Sequence, residues 1–373
     1  MPMAGRKRIL IVDDSAVMRS VLRSVISSDS ALEVVGAAAD GESALGILGS
    51  LQPDLMVLDV EMPVMDGLAT LRNLRETGNR LPVIMCSSLT TRGARVTIDA
   101  LAGGASDYVT KPSSTAGASA AASILAKDLL PRIHALATRL PEPSLRAASA
   151  PMPDPARPDG FATRCDPEVI AIGASTGGPA ALDALLPALP STFPIPVLVV
   201  QHMPELFTRQ LAARLAQHCG LRVLEAAEGD PMAPGTIYIA RGNWHLEVRA
   251  SARSQAPPTL QLTQSPEVNH CRPAVDVLFS SAVKVYGAGV IAVVLTGMGS
   301  DGLSGAREVR NAGGIVLAQD QASSTVWGMP GAVAGAGLAH HVLSLDAIAP
   351  EILTLVRKCP SSGVPNGARK AVA

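Results

Sequence analysis

Two series of short aliphatic runs, separated by a proline-rich stretch, constrain the fold of this chain more than any other feature. In the first series, strands are predicted at Arg8–Asp13, Val34–Ala38, Asp54–Asp59, Pro82–Ser87 and Asp107–Thr110, with longer helical patterns between them. Buried runs alternating with helices predict a parallel sheet covered on both faces. A second α/β series starts at Val169 with VIAIGAST and continues through PVLVVQHM, TIYIA, VIAVVLTGM and GIVLAQD. Between the two, residues 141 to 167 hold seven prolines, which suit neither a sheet interior nor a helix and predict a semi-extended linker. The fold class is therefore α/β twice over: a five-stranded, doubly wound parallel sheet, then a doubly wound, mostly parallel one.

Composition removes several classes of function. The 31 Lys and Arg against 32 Asp and Glu leave a net charge of −1, and neither predicted domain hides a basic surplus. With four Phe, three Tyr and two Trp there are few rings for stacking bases. Nucleic-acid binding, including a DNA-binding half, is not expected. The five cysteines, Cys86, Cys165, Cys219, Cys271 and Cys359, are far apart, without a CxxC pair, and fit a reducing compartment better than a disulfide framework or a zinc site. No run reaches the roughly 18 apolar residues of a membrane helix, and Ile9 to Val12 is too short for a signal-peptide core. A cytoplasmic, monomeric protein without membrane insertion is expected.

Chemistry gathers first at the carboxyl edge of the N-terminal sheet. Asp13 and Asp14 close its first strand and Asp59 its third, so three carboxylates share the edge where such sheets bind ligands. Their repulsion would be relieved by a hard cation such as Mg²⁺. Ser87 ends the fourth strand and Lys111 follows the fifth, which suits phosphoryl transfer to a carboxylate. ILIVDDSAVMR, VLDVEMPVMDG, PVIMCSS and DYVTKP resemble the receiver domain of two-component response regulators, over residues 6 to 112. That resemblance implies a flavodoxin-like fold, Asp59 as phosphoryl acceptor, and Asp13, Asp14 and Asp59 holding Mg²⁺. Ser87 and Lys111 would sense the phosphoryl group, and Tyr108 falls at the aromatic switch position. It equally fits a strand-end aromatic with no switching role.

The second series carries a nucleophile. Gly173-Ala174-Ser175-Thr176-Gly177 matches G-x-S-x-G on a strand-to-helix turn, which exposes a hydroxyl beside the positive end of a helix, though such a turn also cradles anions. Of seven histidines, His202 follows a buried run, as Ser175 does. His134, His218, His245, His340 and His341 lack that placement, and His270, beside Cys271, is ambiguous. For the acid that orients the base, Asp301 and Asp320 both follow buried runs. The order Ser, His, Asp differs from the Ser, Asp, His of α/β-hydrolases.

IGASTGGPAAL, QHMPELFT, HCRPAVDVLFSSA, LTGMGSDG and SSTVWGMPGAV resemble the catalytic domain of the CheB family of chemotaxis protein-glutamate methylesterases. By that resemblance Ser175 is the nucleophile, His202 the base and Asp301 its partner, Thr176 lies beside the nucleophile, and the Met298 N–H is an oxyanion donor. It implies a phosphorylation-activated serine esterase that releases methanol from glutamyl methyl esters of chemoreceptor cytoplasmic domains and deamidates glutamines there. A histidine kinase would be the phosphodonor, and the catalytic domain would need no cofactor. A non-catalytic, phosphorylation-controlled binding protein is the alternative. The implied units are a receiver at 1–125, a helix-containing linker at 126–167, a catalytic domain at 168–358 and a disordered tail at 359–373. The long linker, the tail and Trp327, where a smaller aromatic is expected, depart from the family pattern.

Overall fold

The computed structural model describes residues 5–112, 118–137, 166–251 and 256–357. The tail and most of the expected linker lie outside the described residues. The N-terminal unit runs β1 (Lys7–Val12), α1 (Ala16–Ser27), β2 (Leu32–Ala38), α2 (Gly41–Leu51), β3 (Leu55–Asp59), α3 (Gly67–Glu76), β4 (Val83–Ser87), α4 (Thr91–Ala102), β5 (Asp107–Thr110) and α5 (Ala118–Leu136). Its five parallel strands are ordered β2-β1-β3-β4-β5. All five expected strands are present, with ends within two residues of expectation.

Strand period explains the layers. Successive side chains alternate faces, so Ile9 and Ile11 pack with Leu22 and Ile26 of α1. Leu10 and Val12 meet Leu71 of α3 and Ile98 of α4 on the other face. Helix α5 runs across the expected domain boundary. A division at 125/126 cuts through it, whereas Leu125, Leu129, Ile133, Leu136 and Ala137 all pack into the core beneath α1. The helix therefore packs onto the N-terminal sheet along its whole buried face. Its alanine-rich start and the internal Pro131 weaken its amphipathic period.

The second unit comprises β6 (Val169–Ala174), α6 (Gly178–Leu185), β7 (Val197–Gln201), α7 (Glu205–His218), β8 (Arg222–Glu225), β9 (Thr236–Ile239), β10 (His245–Arg249), β11 (Thr259–Thr263), α8 (Val275–Tyr286), β12 (Val290–Val294), α9 (Leu303–Asn311), β13 (Ile315–Gln319), α10 (Met329–Gly335), β14 (His341–Leu343) and α11 (Leu345–Arg357). Its sheet is ordered β14-β13-β12-β6-β7-β9-β8, with every pairing parallel. The separate β10–β11 pair is antiparallel. Strand order reverses about β6, whose neighbours are β7 and β12, so their carboxyl ends form the switch point where open α/β sheets bind ligands.

The two units share a core. Helix α4 packs against α6 and α7, and Tyr108 of β5, 7% exposed, stacks on Phe207 of α7 at 4.6 Å between centroids. Arg214 of α7 bridges Asp99 of α4 at 2.9 Å and Asp183 of α6 at 3.2 Å.

Packing of β6 against α8 leaves no room at Gly173. A methyl group there would lie 2.4 Å from Val275 Cγ1. Gly173→Ala is expected to cost about 1–3 kcal/mol through overpacking, read as a lower urea midpoint for the second unit.

Candidate active site

Two clusters of functional side chains stand at the two switch points. In the first, Asp13 follows β1 and Asp59 ends β3, both buried. Lys111 Nζ, carried past β5, lies 2.8 Å from Asp13 Oδ2 and 2.7 Å from Asp59 Oδ2. Burial raises the Asp59 carboxyl above its ordinary value although Lys111 pulls the other way. For Lys111, burial would lower the ammonium, but hydrogen bonds to Asp13 and Asp59 outweigh it and hold it above normal. One oxygen from each of Asp13, Asp14 and Asp59 lies within 4.8 Å of the others, an all-oxygen set that fits a hard cation such as Mg²⁺. Ser87 is buried at the end of β4, its hydroxyl donating to Ser88 O at 3.3 Å.

The second cluster is built by strand register. Ala174 of β6 pairs with Gln201 of β7, so Ser175 and His202 follow side by side, and residues in register on neighbouring strands face the same way. The turn is pinned by Ser175 N–H donating to Thr296 O (3.0 Å), His202 N–H to Ala174 O (3.1 Å) and Gln201 Nε2 to Ser175 O (2.9 Å). Gly177 has φ +78°, and a Cβ there would strike Thr325 at 2.4 Å, so only glycine makes this turn.

His202 Nε2 donates to Asp301 Oδ2 at 2.8 Å. Asp301 is 2% exposed and also accepts from the N–H groups of Val275, Asp276 and Gly302 and from Asn269 Nδ2. Burial would raise its carboxyl, but the contact with His202 and these donors hold it below the ordinary range. The other ring nitrogen, Nδ1, faces Cys271 Sγ at 3.5 Å. Burial opposes charge on the imidazole, yet the bonds to Asp301 and Cys271 outweigh it and push His202 up to about 9. Ser175 is half-buried, and its hydroxyl makes no hydrogen bond among the described residues. Apo enzymes often tighten such contacts only on binding.

The backbone N–H groups of Thr176 and Met298 have no acceptor among the described residues. Thr176 follows the nucleophile; it is 5% exposed, and its Oγ1 donates to Asp107 Oδ2 of β5 at 2.7 Å. Asp107 also accepts from Arg132 Nε of α5 at 3.0 Å. Tyr108 lies in the contact between units. Asp320 is occupied by the Ser323 turn, accepting its N–H at 2.9 Å and its hydroxyl at 2.6 Å. Trp327 Nε1 donates to Gln319 O. His245 is fully buried and serves the backbone of Ala274 and Pro266.

Sequence reasoning missed Asn269, Cys271, Asp107 and Arg132. Asn269 had a faint signal: an Asn followed by His, at φ 53° and 60°, is a left-handed turn. The others act across the chain with no local pattern.

A family profile described as CheB methylesterase matches residues 170–352, and one described as response regulator receiver domain matches residues 9–122. A protein-glutamate methylesterase/protein-glutamine glutaminase of a Nocardioides species is 50% identical over 97% of this chain and 98% of its own length. The protein of that name from Trichodesmium erythraeum is 45% identical over 93% of this chain and 98% of its own. The crystal structure of the Thermotoga maritima CheB methylesterase catalytic domain is 43% identical, covers 51% of this chain and 99% of that one, and superposes with a TM-score of 0.49.

The geometry around His202 has a direct readout. Titration of its imidazole by NMR is expected to give a value near 9, and both Asp301→Asn and Cys271→Ala are expected to lower it. An unchanged value in both variants would contradict the stated cause.

Proposed function

The chain belongs to the CheB methylesterase family and carries a receiver domain ahead of its esterase domain, and from that premise we propose that it is a phosphorylation-controlled serine hydrolase. Its substrates are γ-glutamyl methyl esters on the cytoplasmic helices of chemoreceptors, which it hydrolyses with release of methanol. It also deamidates receptor glutamines, with ammonia as the leaving group. The units are a receiver ending at Ala137 and a catalytic domain from about residue 168. No helix among the described residues is long and apolar enough to cross a membrane.

One observation carries this reading: an imidazole held by a buried carboxylate, one register position from a serine on a strand-to-helix turn. His202 Nδ1, the nitrogen not engaged by Asp301, takes the Ser175 proton once the Cys271 thiol yields its place. The alkoxide attacks the ester carbonyl, and the N–H groups of Thr176 and Met298 receive the oxyanion. His202 then protonates the departing methoxide, and water repeats the cycle on the acyl-enzyme. Because the imidazole is protonated below about 9, the free base form grows with pH, and kcat/KM rises with it.

In the receiver, Asp59 accepts the phosphoryl group, and Asp13, Asp14 and Asp59 hold Mg²⁺, which neutralises phosphoryl charge when bound. Lys111 and Ser87 bind the phosphoryl oxygens in place of the present Lys111 pairings. A histidine kinase supplies the group. Supporting control of the esterase by this event, the receiver grips the nucleophile's turn: Asp107 holds Thr176, next to Ser175, and α4 covers the helices that follow Ser175 and His202. Weakening that contact frees the site.

Methanol release from methylated receptor cytoplasmic fragments tests the chemistry. Ser175→Ala is expected to lose on the order of 10⁶ in rate with the fold intact, and retained turnover would remove the nucleophile. For the control, Asp99→Lys sets a cation against Arg214 at the rim of the interface. Basal methanol release is expected to increase and the further gain from a small-molecule phosphodonor to shrink. A variant with wild-type basal rate and wild-type stimulation would contradict coupling through this contact.

A further inference from the structure

Cys271 has no place in the hydrolysis, yet its sulfur faces the free nitrogen of the base at 3.5 Å. We propose that Cys271 Sγ and His202 Nδ1 form a binding site for a thiophilic divalent cation, with Zn²⁺ as the fitting ion, and that its occupation switches the hydrolase off. The inhibition, though not the binding, rests on the reading of His202 as the base.

Two distances decide which atoms share the ion. Zinc bonds to sulfur at about 2.3 Å and to imidazole nitrogen at about 2.0–2.1 Å, so a tetrahedral S–Zn–N pair sets the two donors about 3.6 Å apart. Cys271 Sγ and His202 Nδ1 stand 3.5 Å apart. The His202 Nε2 to Asp301 Oδ2 separation of 2.8 Å is too short for two ligands of one ion and is a hydrogen bond. Although one Asp301 oxygen lies within 4.8 Å of the other two groups, its oxygens are committed to five donors. Asp301 instead orients the ring from behind: an N–H held by a carboxylate leaves the opposite nitrogen as a fixed lone pair aimed at the metal.

His202 and Cys271 are both partly exposed, so an ion can reach them, and the remaining tetrahedral positions stay open to water. Binding releases the thiol proton as Zn–S forms and, below about pH 9, the Nδ1 proton of the imidazolium as Zn–N forms, both to solvent. It also occupies the nitrogen that must accept the Ser175 proton, so no step after substrate binding can start. The acidic pocket of the receiver offers only oxygen and favours hard cations.

Calorimetry of the full chain with Zn²⁺, in saturating Mg²⁺, is expected to show one more Zn²⁺ site than Cys271→Ser, with Cys271→Ala as a second variant. Co²⁺ is expected to give a thiolate charge-transfer band that both variants lack. With each protein normalised to its own metal-free rate, one equivalent of Zn²⁺ is expected to cut methanol release by roughly tenfold or more in the native chain only. A zinc-selective chelator should restore it. Equal Zn²⁺ stoichiometry in all three proteins would overturn the site, and equal inhibition, or binding without loss of rate, would overturn the switch. Absence of methanol release without metal would sink the esterase reading and the inhibition together, while calorimetry still decides the site.

Discussion

The buried carboxylate of Asp301 organises the catalytic rim. At 2% exposure an unpaired negative charge would be costly, and five donors meet it: His202, Asn269 and the N–H groups of Val275, Asp276 and Gly302. Two of these donors are the first N–H groups of α8, at the positive end of that helix. One anion thus fixes the start of α8, the turn before α9, the 269–271 turn and the imidazole on β7. Because its partner is Nε2, the tautomer is set and Nδ1 is the nitrogen presented outward. In the free-base form, whatever approaches, whether a serine hydroxyl, a thiol or a metal ion, meets the Nδ1 lone pair.

The contact between units obeys the same rule at Asp107. Burial raises its carboxyl despite Arg132 and the hydrogen bond from Thr176, so the group is poorly compensated and depends on both. Breaking a pair of this kind costs far more than its net worth, because the survivor stays buried. Lys111 leaves the far end of the same short strand, β5, whose four residues span about 13 Å. A displacement of Lys111 at the phosphoryl pocket therefore has a short, stiff route to the Thr176 turn, and Tyr108, stacked on Phe207, lies between the two.

Features with a local physical signature were legible in the sequence. Aliphatic runs gave all five receiver strands and five of the seven in the second sheet, and a strand-end position singled out Asp59, Ser175 and His202. Edge strands β8 and β14 escaped because they are short and partly exposed. The choice between Asp301 and Asp320 was not available from periodicity, since both follow buried strands. It depends on the 99-residue separation from His202 being closed by β7, β6 and β12 lying side by side. Asn269, Cys271 and the Asp107–Arg132–Thr176 group are partnerships across distant segments, and nothing in any one segment encodes them.

Asp59 and Asp301 are both aspartates at strand ends near a switch point, yet their surroundings fit them for opposite work. Asp59 has one strong partner, Lys111, and one long N–H contact from Glu61 at 3.4 Å, so burial wins and its carboxyl is raised. Such an oxygen keeps lone pairs open and is incompletely stabilised, the condition for attacking a phosphoryl group or holding a cation. Asp301 has its lone pairs taken and its charge fully met, so its carboxyl is lowered, and it can orient a neighbour but not react. Donor count at each carboxylate, rather than residue type or burial, sets the two aspartates apart in this chain.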